Sequence, residues 1–174
     1  IVPGVRLLMI ANPNQPTGTL IDEDILLQAI ERARAVGAFV AVDEAYHPFG
    51  GVTALPWLEA YPNLLITRTF SKAAGLAGLR IGYVAAHPEV IGNLYKVRTV
   101  NDLNSMSILC ASELLKHPEV IDDYLADAEA GRQVLVARAP EFGVTVLPTH
   151  ANFALLRVDQ RYKPEDLVEA LKRR

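Results

Sequence analysis

LLITRTFSKAAGLAGLRIGYVAA, residues 64–86, is the stretch from which the fold can be read. Leu64, Leu65 and Ile66 form an apolar run too short and too sharply punctuated for a helix, so they read as a buried strand. The run ends in a hydroxyl-rich turn, Thr67-Arg68-Thr69-Phe70-Ser71-Lys72. A Gly/Ala loop carrying Arg80 follows, and then a second apolar run from Ile81 to Ala86. Lys72 thus sits where a strand of an α/β protein ends, which is where such folds place ligands. A lysine preceded by two hydroxyls and followed by an arginine is suited to a phosphorylated carbonyl compound.

Upstream, Arg6 to Ala11 is continuously apolar after its first residue, the pattern of a strand buried on both faces. Asn12 to Gly18 (NPNQPTG) holds two prolines and a glycine and must be a loop. Asp22 is placed to cap a helix whose apolar positions are Ile25, Leu26, Ala29, Ile30, Ala33 and Val36, with Gly37 closing it. Phe39 to Val42 is a second strand and runs into Asp43-Glu44-Ala45-Tyr46. Strand, loop, helix, strand is the grammar of a right-handed βαβ unit in a mainly parallel sheet. Downstream, 88–97, 105–116 and 119–137 read as helices, 144–147 and 152–158 as strands, and 164–174 as the start of a helix. The change of grammar divides the chain into a larger unit, residues 1–125, and a smaller one, residues 126–174.

Composition narrows the function classes. The chain has 174 residues, 51% hydrophobic and 21% charged, which suits a globular core. A net charge of −3, with both signs scattered, offers no basic block for nucleic acid. No apolar run reaches the length of a membrane span. The single cysteine, Cys110, leaves no intrachain disulfide, as expected in a reducing, cytoplasmic setting. The four histidines lack metal-ligand spacing, so no metal site is expected.

Three polar clusters close three of the expected strands: Asn14 with Gln15, Asp43 with Tyr46, and Thr69 with Ser71 and Lys72. In a parallel sheet these ends lie side by side, so residues far apart in sequence can meet on one ligand. Asn14-Gln15-Pro16-Thr17-Gly18, Asp43-Glu44-Ala45-Tyr46, and Thr69-Phe70-Ser71-Lys72 with Gly78-Leu79-Arg80-Ile81-Gly82 together resemble the fold-type I pyridoxal-phosphate enzymes of the aspartate-aminotransferase superfamily. Within them the chain looks most like the histidinol-phosphate aminotransferase group.

The resemblance implies an α/β fold with three αβα layers and a mainly parallel sheet, the large domain of such transferases, plus part of a small α+β C-terminal domain. It implies pyridoxal 5'-phosphate (PLP) as cofactor, with catalytic roles for Lys72, Asp43 and Tyr46. Lys72 would form the Schiff base with the cofactor aldehyde and then move the proton at the substrate Cα. Asp43 would pair with the pyridine nitrogen, and Tyr46 would hydrogen-bond the phenolic oxygen. Thr69, Ser71 and Arg80 would hold the phosphate. Gln15 departs from the pattern, which has asparagine before Pro-Thr-Gly; its longer amide must reach the phenolic oxygen from a shifted position, or Asn14 must substitute. Glu44 is read as structural, Arg68 and Arg98 as ion-pair or surface residues, and Asn152-Phe153 as similar to a segment near the substrate entrance.

Family members are about twice as long, so the resemblance makes this chain the middle and near-C-terminal part of a longer homodimeric enzyme of amino-acid biosynthesis. The implied reaction is transfer of an amino group from an amino acid or phosphorylated amine to a 2-oxo acid or ketone. A PLP-dependent decarboxylase of a phosphorylated amino acid, or the aminotransferase-like sensor of a transcription regulator, are the alternatives it leaves.

Overall fold

The computed structural model describes residues 1–160 and 162–173; Arg161 and Arg174, the last residue of the expected terminal helix, lie outside it. Four strands form the main sheet in the order β1 (Leu7–Ala11), β2 (Phe39–Asp43), β3 (Leu64–Thr69) and β4 (Gly82–Ala86). The first three are parallel, with Leu8 opposite Val40 and Val40 opposite Leu64; β4 runs antiparallel to β3. The reversal follows from the connection. Residues 70–81 carry only a 3-10 turn at Ala77–Leu79, whereas a parallel return needs a long crossover.

Helix α1 (Glu23–Ala35) crosses from β1 to β2 and buries Leu26, Ile30 and Ala33, one stripe at helical spacing. They pack on Val40, Val42, Leu64 and Ile66, the alternate residues of β2 and β3, all essentially inaccessible to water. Each such fully buried aliphatic side chain stabilises the fold by about 1.5–3 kcal/mol. Asp22 is the N-cap of α1 by position, but its side chain makes no capping hydrogen bond; Glu23 and Asp24 in the first turn favour the helix dipole instead. Gly37, at φ 72°, takes the left-handed conformation that ends the helix.

The sheet is not covered on both faces by the described residues. Leu7 and Met9 of β1 alternate away from α1 and are 52% and 73% exposed, and Phe39 shares their face at 41%. The expectation that β1 is buried on both faces is therefore corrected: only its Leu8 and Ile10 side pack on the core. Three helices follow, α2 (Pro88–Tyr95), α3 (Ser105–Leu114) and α4 (Pro118–Arg138). His87 caps α2 by accepting the Glu89 amide, and Asn104 caps α3 by accepting the Ser107 amide. Beyond α4, β5 (Val144–Val146) pairs antiparallel with β6 (Leu156–Val158), and α5 spans Pro164–Lys172. The expected strand over 152–158 is shorter because residues 149–153 are folded against the main sheet's edge loops, not into a ladder.

Candidate active site

The C-terminal ends of β1, β2 and β3 open onto one edge of the sheet, and the sequence-chosen residues stand there. On β2 and β3, side-chain alternation sets two faces. Asp43, Thr67 and Thr69 fall on one; Glu44 and Arg68 continue the core face of Val42 and Ile66.

Asp43 is exposed at the strand tip, and its Oδ1 accepts from the Thr67 hydroxyl and from the Ala45 amide, each at 3.1 Å. Its second oxygen has no hydrogen-bond partner among the described residues. The carboxylate is thus oriented through one oxygen and open through the other. Tyr46 is 6% exposed and donates its hydroxyl to Gln15 Oε1 at 3.0 Å. The added methylene of Gln15 brings its amide to the phenol. Asn14 is occupied elsewhere: its amide nitrogen donates to Thr17 Oγ1 at 2.7 Å within its own loop.

Lys72 Nζ lies 5.1 Å from the centroid of the Tyr46 ring, over its face, within cation–π range. Thr69 Oγ1 donates to the Ile81 carbonyl at 3.3 Å and accepts the Ser71 amide at 3.1 Å, so this hydroxyl shapes the turn. The Ser71 hydroxyl makes no hydrogen bond among the described residues. Arg80 is exposed, in the left-handed conformation at φ 52°, and donates to the Ala77 carbonyl at 3.2 Å in its own loop. It makes no hydrogen bond to Thr69, Ser71 or Lys72.

Residues 149–153 pack against the loops of this edge. The His150 amide donates to the Gly18 carbonyl at 2.7 Å, and Thr149 Oγ1 holds the Phe153 carbonyl at 2.8 Å. Phe153 meets Tyr46 edge-on at 4.9 Å between centroids. A Cβ at Gly18, itself at φ 72°, would overlap the Thr149 hydroxyl, so glycine is required where the two loops touch. A cavity of about 380 Å³ opens between α4 and this segment, with Tyr124, Arg132 and Phe153 among its walls.

Behind the edge, Glu44 is buried and bonded to Arg68, whose Nε and Nη2 reach Glu44 Oε2 at 3.0 and 2.8 Å. Burial pulls the Arg68 guanidinium down in pKa, but its bonds to Glu44 and Tyr83 outweigh this and the net direction is up. Burial, and then the charge of Arg68, lowers His47 below the ordinary histidine value of 6.5. His117 is raised by Glu119 and Glu113 on the exposed face before α4. No cluster of metal-ligating side chains occurs among the described residues, and no described helix is long and apolar enough to cross a membrane. Arg98 pairs with Asp102 at 3.8 Å and lies over Tyr95, away from the edge.

Sequence reasoning missed Thr67, although a period of two puts it on the same face as Thr69. It named Arg68 as an ion-pair residue without a partner; the same period places that guanidinium on the apolar side of β3, where only a buried acid could satisfy it.

The donor set suits a flat ring with a nitrogen and a phenolic oxygen, while of the residues expected at its phosphate only the Ser71 hydroxyl is unengaged among the described residues, Thr69 and Arg80 being bonded within their own turn and loop. It offers an open carboxylate oxygen, a phenol–amide pair, a free hydroxyl and an amine held over an aromatic ring. The family model for aminotransferase class I and II matches residues 2–174. Histidinol-phosphate aminotransferase 2 of Nitrosospira multiformis is 37% identical over 167 residues, covering 94% of this chain and 42% of the relative. The solved histidinol-phosphate aminotransferase of Sinorhizobium meliloti, in complex with pyridoxal-5'-phosphate, superposes with a TM-score of 0.76 at 29% identity, over 86% of this chain and 41% of that one. L-threonine-O-3-phosphate decarboxylase of Porphyromonas gingivalis gives 0.77 at 25% identity, over 88% and 47%. The chain spans about two-fifths of the length of the curated relatives it matches.

Proposed function

The chain belongs to the class I and II aminotransferase family, and from that premise we propose that it carries the PLP-binding edge of an enzyme acting on a phosphorylated amine. The observation that carries the reading is the meeting of Lys72, Tyr46 and Gln15 at the strand ends, where Asp43 closes β2 with one carboxylate oxygen open. PLP, when bound, supplies an aldehyde for a lysine and a ring that accepts electrons from a substrate Cα.

This chain's residues then have separable tasks. Asp43, fixed through Oδ1, would hold a proton on the ring nitrogen through its open oxygen. The Gln15 amide nitrogen would hold the phenolic oxygen, and the Tyr46 hydroxyl, which donates its one proton to Gln15 Oε1, would have to turn from it to do the same. Ser71 offers a hydroxyl to the phosphate, and Arg80 supplies the guanidinium if it leaves the Ala77 carbonyl. Thr69 shapes the turn that presents them. Lys72 Nζ is the amine that would join the cofactor aldehyde and, when free, would take and return the proton at the substrate Cα. Phe153 and Tyr46 together shed water from this side of the pocket.

Residues 1–125 make the larger, cofactor-holding part and residues 126–174 the smaller one. A homodimer is in keeping with the exposed apolar residues Val97, Val100, Met106 and Leu109, and a cytoplasmic setting with the single free cysteine.

The substrate class rests on the names of the relatives. The test uses the full-length protein with PLP, L-histidinol phosphate and a 2-oxo acid. The expected product is the amino acid corresponding to the oxo acid, at a rate lost in Lys72→Ala. Release of carbon dioxide from O-phospho-L-threonine, with no transamination, would replace the proposal by the decarboxylase reading.

A further inference from the structure

Beneath the site lies a charged pair that takes no direct part in it. Glu44 is 1% exposed and Arg68 14% in their side chains. Both strands reach this point as apolar alternations, Val40-Val42-Glu44 and Leu64-Ile66-Arg68, so each charge occupies a position that the pattern reserves for a hydrophobic residue. Every polar group of the pair facing inward is bonded. Glu44 Oε1 accepts the Ala54 amide at 2.6 Å, both carboxylate oxygens accept from the Thr53 hydroxyl, and Arg68 Nη2 reaches that hydroxyl at 2.7 Å. The Glu44 amide also donates to the Thr67 carbonyl at 2.9 Å.

Replacing such a pair with well-packed apolar residues is often neutral or stabilising, so stability alone does not account for it. Its placement suggests what does. Glu44 is the neighbour of Asp43, and Arg68 lies between Thr67, which orients Asp43, and Thr69, which shapes the turn carrying Ser71 and Lys72.

We propose that Glu44 and Arg68 are positioning residues: their ion pair locks the tips of β2 and β3 in register beneath the site and so sets the spacing between Asp43 and the 69–72 turn. This rests on the reading of the edge as a PLP site. A ligand held at both ends, ring nitrogen and phosphate, feels that spacing; one held only at the ring does not.

The distinction gives the test. In the full-length protein, Glu44→Gln combined with Arg68→Met removes both charges, leaves no buried charge unpaired and keeps an oxygen for the Ala54 amide, so the melting temperature is expected to stay near that of the wild type. Affinity for PLP, read from the visible Schiff-base absorption, is expected to fall about ten-fold, the lower end of what losing a supporting partner costs at metal centres. Affinity for pyridoxal, which lacks the phosphate, is expected to fall much less. Equal losses for both ligands, or wild-type affinity for PLP, would overturn the proposal. If the double variant does not fold, Arg68→Lys keeps the charge but gives up the two-nitrogen contact, and the same comparison decides. A wild type without Lys72-dependent absorption would overturn the site reading and this one with it; normal absorption with an unchanged ratio of affinities overturns the positioning role alone.

Discussion

Gln15 shows how one methylene can be accommodated in a site. An asparagine one bond shorter is the residue that the resemblance leads one to expect before Pro-Thr-Gly, yet Gln15 Oε1 meets the Tyr46 hydroxyl at 3.0 Å while Asn14 serves its own loop. The identity of the departure was legible in the sequence, but its outcome was not, because amide reach depends on where the loop backbone sits. The bond joins a buried phenol to an exposed amide, and a typical hydrogen bond of this kind contributes about 1 kcal/mol. Gln15→Ala, Tyr46→Phe and the double variant, compared by urea denaturation, are expected to show a coupling of about 0.5–1.5 kcal/mol. A coupling indistinguishable from zero would mean that the contact contributes nothing. Arg68 teaches the complementary lesson. Its ionic role could be read from its type, but its buried partner could be found only by carrying the strand period into β2.

Among the elements, β4 is the one whose direction the apolar pattern could not give. Ile81 to Ala86 reads equally well in either orientation, and only the absence of a crossover helix between 70 and 81 makes it antiparallel. Its first residue, Gly82, lies so close to β3 that a Cβ would stand 2.6 Å from the Arg68 carbonyl oxygen. Gly82→Ala must therefore push β4 off β3, at about 1–3 kcal/mol for overpacking of this kind. Gly78→Ala, where a Cβ meets nothing within 4 Å, is the control and is expected to leave the denaturation midpoint close to that of the wild type. Similar midpoints for the two variants would contradict the close approach. Helix positions were legible, with Pro88 opening α2 as expected; Pro118, read as part of the break before a helix from 119, is itself the first residue of α4. The strand expected over 152–158 was not, because Phe153 turns toward Tyr46 and 149–153 bonds to the Gly18 loop, contacts between residues more than a hundred positions apart.

At the scale of the whole molecule, the parallel sheet gathers three short motifs onto one edge, and this could be deduced before any coordinate was known. The sheet's second face, with Leu7, Met9 and Phe39 exposed, could not, since apolar strands look alike whether one side or both are covered. The central claim is that the gathered edge holds PLP through one amine. Lys72 is distinguished by its place over the Tyr46 ring, not by its residue type. The most direct measurement is to incubate the full-length protein with PLP, reduce it with borohydride and map the modified peptide by mass spectrometry. The account predicts a phosphopyridoxyl group on Lys72, at close to one per chain. A label on Lys96, Lys116, Lys163 or Lys172 in its place, or no stable label, would contradict it.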